Sequence, residues 1–400
     1  MTPHVVRSTV FSAALMAIVI LAVGCSDDDS ASPTTTESQQ TTTTAAEEAV
    51  GDGVDPASAA SAYADRGDHQ VGVTTLERSG GHQVEVWYPA VDGTTGTETY
   101  DMRDFTPPAI RDLLTDDVPA TASYEAGRDA DVADGAFPVV LFSHGFTGMR
   151  MQSTFLTAHL ASHGMIVVST DHPSRDLFNV LGNTTEDAGQ DATADLLEAL
   201  ELLIAEGDTI DGRFEGRVDS ERVAAVGHSA GGGTVLAAAT DERIGSYISL
   251  ASGAFAADAD RTMPDKPSFF MAGALDQVVS AEERTRPAYE AAPSPSRLWI
   301  IDEAGHNAFD DFCTFGNGSG LIGVAEASGL SGFLDAQPQF RALGEDGCKE
   351  PNAPVERVFP VIRHAVTAEL LHRFGIDADP VGLGVEVADQ YDVAVEIDQK

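Results

Sequence analysis

Lysine is scarce in this sequence, occurring only at Lys266, Lys349 and Lys400, and 23 basic residues stand against 64 acidic ones, for a formal charge of −41. A chain so poor in cations cannot neutralise phosphates, which excludes a nucleic-acid partner. The same imbalance surrounds the folded domain with a negative field and favours solubility. Metal-ligating and phosphate-cradling spacings are missing as well: there is no HExxH, CxxC or Walker-type motif, so neither a metal nor an organic cofactor is expected. Cysteine is limited to Cys25, Cys313 and Cys348. No internal repeat is visible. What remains is 400 residues of which 42% are apolar, enough for one large globular domain with extensions, and this excludes disorder of the whole chain.

The N-terminus has the character of a targeting segment. His4 and Arg7 precede an apolar run from Val10 to Val23, broken only by Ser12, which is short for a transmembrane helix and about right for a signal h-region. It ends in Leu21-Ala22-Val23-Gly24-Cys25, which resembles a bacterial lipobox, although Ala22 stands where that pattern more often has Leu. The resemblance implies export and lipidation of Cys25, giving an envelope lipoprotein on the outer face of the membrane; an ordinary signal peptide and a secreted product remain the alternative. Residues 26–60, rich in Ser, Thr and acid, suit a disordered tether. If Cys25 carries lipid, Cys313 and Cys348 are left over, and in an oxidising compartment they are expected to form a disulfide.

Beyond the tether, strands and helices alternate, the pattern of an α/β fold with a mostly parallel central sheet and helices on both faces. Gln70 to Glu77 and Gln83 to Tyr88, joined by Gly80-Gly81, predict an antiparallel N-terminal edge hairpin. Residues 93–135 are polar, Asp-rich and only briefly helical near Ala109 to Leu114, and predict an irregular excursion. Further strands are expected at Phe137 to Phe142, Met165 to Thr170, Arg222 to Val226, Ser246 to Leu250, Ser268 to Ala272 and Arg297 to Ile301. Helices are expected at Gln152 to Ser162, Asp191 to Ala205, Ala230 to Ala239, Ala281 to Ala291 and Val355 to Phe374. The expected division is a leader at 1–25, a tether at 26–60, a catalytic domain at 61–375 with a disulfide-stapled loop insertion at 307–354, and a C-terminal extension at 376–400.

The sharpest chemical signal is Gly227-His228-Ser229-Ala230-Gly231, set between an apolar strand and an Ala-rich helix. That setting turns a G-x-S-x-G match into a nucleophile elbow, with glycines where a Cβ would clash. A serine hydroxyl is a weak nucleophile, so a base and an orienting acid must follow. Asp276 follows the strand ending at Ala272, and His306 follows the strand ending at Ile301, in the order such enzymes require. Asp302, and Asp171 with His172, do not fit the order and are expected to be structural; His159, His163, His364 and His372, on helices or at their ends, are expected to be packing or solvent residues. Donors for an oxyanion are expected from the amides of Ala230 and of Phe146, in the glycine-rich loop Ser143 to Gly148.

These motifs carry a family resemblance. A strand followed by His144-Gly145-Phe146-Thr147-Gly148, then Leu160 to Gly164, then Gly227 to Gly232, resembles the platelet-activating-factor acetylhydrolase and dienelactone-hydrolase-like group of the α/β-hydrolase superfamily. Val86-Trp87-Tyr88-Pro89-Ala90 is likewise similar to that group. The chain also resembles bacterial cutinases and polyester hydrolases, and more loosely plant chlorophyllases, over Gln70 to Phe309. The resemblance implies an α/β-hydrolase fold and the same catalytic Ser229, Asp276 and His306, with Phe146 and Ala230 as oxyanion donors. Cutinases usually carry Met where this chain has Ala230 and Tyr where it has Phe146, and dienelactone hydrolases use Cys in place of Ser229.

The expected activity is a serine carboxylesterase or lipase-like hydrolase acting through an acyl-serine on a small-molecule, lipid or polyester ester. An envelope acyltransferase using the same residues, or a non-catalytic binding lipoprotein, are the alternatives. Phe146, His228, Phe309 and Phe312, with Phe315, are expected to help wall the substrate pocket; packing beneath the 307–354 loop is the rival role for the phenylalanines after His306. The protein is expected to be a monomer, touching the membrane only through its N-terminal lipid.

Overall fold

A computed structural model describes residues 62–184, 189–253 and 262–400. The leader, the tether and Cys25 therefore lie outside the described residues.

The centre is a ten-stranded sheet. Its strands are β1 (Gln70–Glu77), β2 (Gln83–Ala90), β5 (Gly127–Arg128), β6 (Phe137–Ser143), β7 (Ile166–Thr170), β8 (Val218–His228), β9 (Ile244–Leu250), β10 (Ser268–Gly273), β11 (Ser296–Ile301) and β12 (Val395–Gln399), in the order β12-β11-β10-β9-β8-β6-β7-β2-β1-β5. Pairing is parallel from β7 through β6, β8, β9 and β10 to β11. It is antiparallel where β2 meets β7, within the β1–β2 hairpin, and where β12 meets β11. The hairpin is not the outermost element, because the short β5 lies parallel outside β1.

Consecutive residues of a strand point to opposite faces, and here both faces are apolar, so the central strands read as unbroken hydrophobic runs. Val140, Phe142, Val167, Ala224 and Val226 face one core. Their neighbours Val139, Leu141, Ile166, Val168 and Ala225 face the other. The first core is closed by α1 (Thr154–Ser162), through Leu156 and Leu160, and by the long C-terminal helix Val355–Arg373, through Val358, Ile362 and Val366. The second is closed by α3 (Ala192–Asp208), α4 (Ala230–Ala238) and α5 (Arg286–Ala291). A short α2 (Leu177–Gly182) follows β7, with Asp176 accepting from the Asn179 amide as its cap.

Three expectations change. Residues 93–135 hold a two-stranded antiparallel sheet, β3 (Thr97–Asp101) with β4 (Thr121–Glu125). Its polar composition hid it, because in β3 only Tyr100 is buried. The expected loop at 307–354 is largely helical: α6 (Gly320–Ala327), α7 (Ser331–Ala336) and α8 (Pro338–Glu345) precede α9, the helix Val355–Arg373 already described. Its glycines are not marks of irregular chain; Gly316, Gly318, Gly320, Gly329 and Gly347 take positive φ at the turns that separate helical pieces. Residues of the expected C-terminal extension complete the sheet as β12. The expected disulfide is present, joining Cys313 to Cys348. No described helix is long and apolar enough to cross a membrane.

Candidate active site

β8 stops at His228 and α4 starts at Ala230, so Ser229 alone makes the turn. It does so at φ 56°, ψ −122°, a conformation costing a non-glycine residue on the order of 1–3 kcal/mol and tolerated only where surroundings enforce it. Those surroundings are backbone. A Cβ on Gly227 would lie 2.2 Å from the Gly231 carbonyl oxygen, and one on Gly231 would lie 1.9 Å from that of Ser143. The Ser229 amide also donates to the Leu250 carbonyl at 2.9 Å, tying the turn to β9.

Two later loops reach the hydroxyl. Ser229 Oγ and His306 Nε2 are 2.9 Å apart, and the Nδ1–H of His306 donates to Asp276 Oδ2 at 2.8 Å. Asp276 Oδ1 in turn accepts the amides of Val278 and Val279, at 2.8 and 2.6 Å, which fixes the carboxylate before it meets the imidazole. Asp276 and His306 are buried while Ser229 is half-exposed, so the hydrogen-bonded series opens to solvent at the serine.

The loop after β6 lies against the serine: a Cβ on Gly145 would be 3.1 Å from Ser229 Cβ. Gln152 accepts the Gly145 amide at 2.9 Å through Oε1 and donates from Nε2 to His228 Nδ1 at 2.7 Å. With Nδ1 accepting, the Nε2–H of His228 donates to the His306 carbonyl at 3.2 Å. One side-chain relay therefore joins the Phe146 loop to the histidine loop. Burial pushes the His228 imidazole well below its ordinary value, which keeps it neutral and able to serve both bonds. Arg175 braces the same loop, donating to the His144 carbonyl at 2.7 Å and to Ser143 Oγ at 2.8 Å.

Asp346 had no signal in the sequence. Its Oδ1 accepts the His306 amide at 3.1 Å and its Oδ2 the Gln277 amide at 2.7 Å, so one carboxylate ties the histidine loop to the acid loop. Its carbonyl also accepts the Asn307 amide at 2.9 Å. Burial raises its pKa and the two amide donors pull it back.

Of the residues expected to wall the pocket, Phe146, His228 and Phe312 line the cavity above Ser229 and His306. His228 does so with both ring nitrogens engaged, so it positions the loops. Phe309 and Phe315 are not in the wall. Both are fully buried in the core, Phe315 edge-on to Tyr100 with ring centroids 5.5 Å apart. The 3-10 turn at His306–Phe309 rotates Phe309 inward, and the next turn, Phe312–Thr314, brings Phe312 to the cavity. Asp171 pairs with Arg150 at 2.6 Å. Ser143, His172 and Asp195 repeat the serine–imidazole–carboxylate series at 2.8 and 3.2 Å, but all are buried and no substrate reaches them. Among the described residues no cluster of His, Cys, Asp and Glu is arranged to hold a metal ion.

A family model described as PET hydrolase-like matches residues 115–358. Cutinase est2 of Thermobifida alba is 23% identical over 207 residues, 52% of this chain and 63% of that protein. A bis(hydroxyethyl) terephthalate hydrolase of Streptomyces coelicolor is 28% identical over 165 residues, 40% of this chain and 47% of that one. A platelet-activating factor acetylhydrolase of Cavia porcellus is 25% identical over 238 residues, 50% of this chain and 53% of that one. The matches thus span from about half to just under two thirds of these relatives. Among solved structures, a ferulic acid esterase from Streptomyces cinnamoneus superposes with a TM-score of 0.58 at 20% identity, covering 82% of this chain and 96% of that one, a likeness of fold.

Proposed function

Because this chain belongs to the PET hydrolase-like family, within the α/β-hydrolase superfamily, we propose that it hydrolyses carboxylic esters through an acyl-serine at Ser229. The observation that carries this reading is His306 standing within hydrogen-bonding reach of Ser229 Oγ on one side and Asp276 on the other.

Ser229 Oγ attacks the ester carbonyl carbon while His306 Nε2 takes its proton; Asp276 holds the imidazole in the required tautomer and stabilises the imidazolium. Negative charge gathering on the carbonyl oxygen meets the amides of Ala230 and Phe146. Ala230 opens α4, where the first amides have no helical acceptor. Each such donor lowers the barrier by about 3 kcal/mol. Collapse breaks the bond to the alcohol, which leaves with the proton from His306. Water, deprotonated by His306, then attacks the acyl-serine and releases the acid.

The test is hydrolysis of p-nitrophenyl acetate together with labelling by a fluorophosphonate. Wild-type protein is expected to turn over and to label at Ser229, and Ser229→Ala to lose about 10⁴-fold or more in kcat. Undiminished turnover in Ser229→Ala would falsify the assignment. Product appearing mainly as a new ester when alcohol is added would make acyl transfer the reaction. The export reading has its own test: if Cys25 is lipidated, Cys25→Ser moves the protein from the membrane fraction to the medium.

A further inference from the structure

The helices between Cys313 and Cys348 take no part in the steps above, yet they form a wall of the cavity that holds Ser229. Leu321, Ile322, Val324 and Ala325 of α6 line it, with Leu334 of α7 and Leu343 of α8. A second set of apolar side chains comes from far away in sequence: Met102, Ile110 and Leu114 between β3 and β4, and Leu177 and Leu181 of α2. The polar groups that share the lining belong largely to the catalytic end: Ser229, His306, Gln152 and His228 are engaged with one another, and Asp310, whose Oδ2 has no hydrogen-bond partner, is buried beneath the surface. Phe146 and Phe333 also line it and stay 41% exposed, which keeps the cavity apolar where it meets solvent.

Such a surface recognises its ligand by removing apolar area from water, and it offers few partners for polar groups carried in with it. A hydrocarbon chain carries no polar group that would have to give up water there. A rigid aromatic diester would bring a second ester group into the same space, where its oxygens exchange water for aliphatic carbon. Resting on the hydrolase reading, we propose that this cavity holds the hydrocarbon chain of an aliphatic ester, making lipid-like esters the substrate class. The segment stapled by the disulfide is then the element that sets chain-length preference.

The experiment is a series of p-nitrophenyl esters from acetate to dodecanoate, kept below their aggregation limits, with full-length wild type, Ala325→Phe and Phe333→Ser. In the wild type, kcat/KM is expected to rise about fourfold for each methylene that enters the wall before levelling off. Ala325→Phe fills the cavity, so the ratio of kcat/KM for decanoate to that for acetate should fall at least tenfold. Phe333→Ser, at a half-exposed position, should lower the same ratio without burdening the core. A ratio that both variants leave unchanged, a series that is flat or falls with length, or an amorphous aromatic polyester film turned over faster than decanoate each overturns the proposal. Failure of the hydrolase reading looks different: Ser229→Ala would then keep its activity on acetate, whatever the chain-length series shows.

Discussion

Asp346 touches neither Ser229 nor the imidazole ring of His306, yet it accepts the backbone amides on which the alignment of His306 with Asp276 depends. An error of about 1 Å in a catalytic group can cost about a hundredfold in rate. Asp346→Ala frees both loops and is expected to lower kcat on p-nitrophenyl acetate by about that factor, with KM little changed, since no substrate contact is lost. Asp346→Asn keeps one acceptor oxygen and turns an NH₂ toward the other amide, so its loss should be smaller, about tenfold. A rise in KM with kcat intact in either variant would assign Asp346 to substrate binding and end its role as a clamp.

Asp311 works on stability. It accepts the Phe155 amide at 3.2 Å and the Tyr100 hydroxyl at 3.3 Å in a buried site, and burial pushes its carboxyl from 3.8 to about 6. The folded state then binds the proton more tightly than the unfolded chain, so stability from this group is full below pH 3.8 and is lost as pH rises toward 6. The two-unit difference corresponds to about 3 kcal/mol. Asp311→Asn cannot titrate, so its stability relative to wild type should improve by about that amount from about pH 4 to pH 7, measured by urea unfolding at each pH. An unchanged difference between the proteins would show that the carboxyl titrates alike in both states.

At the scale of elements, the stapled segment 313–348 joins the cavity wall to the loops that carry Asp276 and His306, because Cys348 lies two residues beyond Asp346. The bridged cysteines are 35 residues apart, and closing such a loop stabilises a fold by about 4 kcal/mol in the chain-entropy model. The double substitution Cys313→Ser, Cys348→Ser is expected to lower the melting temperature, and reductant should do the same to wild type but not to the double variant. Equal melting temperatures in wild type and double variant would remove the staple as a source of stability. This segment also shows where sequence reasoning runs out. The Ser229 turn was legible because backbone atoms forbid a Cβ at Gly227 and Gly231, leaving glycine as a visible trace. Asp276 and His306 were legible because each follows an apolar parallel strand, whose periodicity is plain. Asp346 binds backbone amides, which leave no mark in a sequence, and it lies 40 residues beyond His306. Phe309 and Phe312 differ only in which side of successive 3-10 turns they occupy, and composition carries no record of that. Strand β3 escaped notice because it buries a single aromatic residue, and β12 because it completes the sheet from beyond the last helix.

At the scale of the whole molecule, the charge of −41 bears on what can approach the cavity. A field of this sign raises the local concentration of cations and lowers that of anions near an apolar mouth, and it reaches about 30 Å at 0.01 M salt but about 10 Å at 0.1 M. An ester with a free carboxylate should therefore be disfavoured at low ionic strength against a neutral ester of equal length. Its kcat/KM should recover several-fold as sodium chloride is raised from about 0.01 to 0.2 M, while the neutral ester changes little. The comparison of p-nitrophenyl hemisuccinate with p-nitrophenyl butyrate reads this directly, since the neutral ester reports any effect of salt on the fold or on the chemistry. Parallel salt curves for the two esters would mean that the charge is spread too far from the mouth to act on substrate, leaving solubility as its remaining consequence.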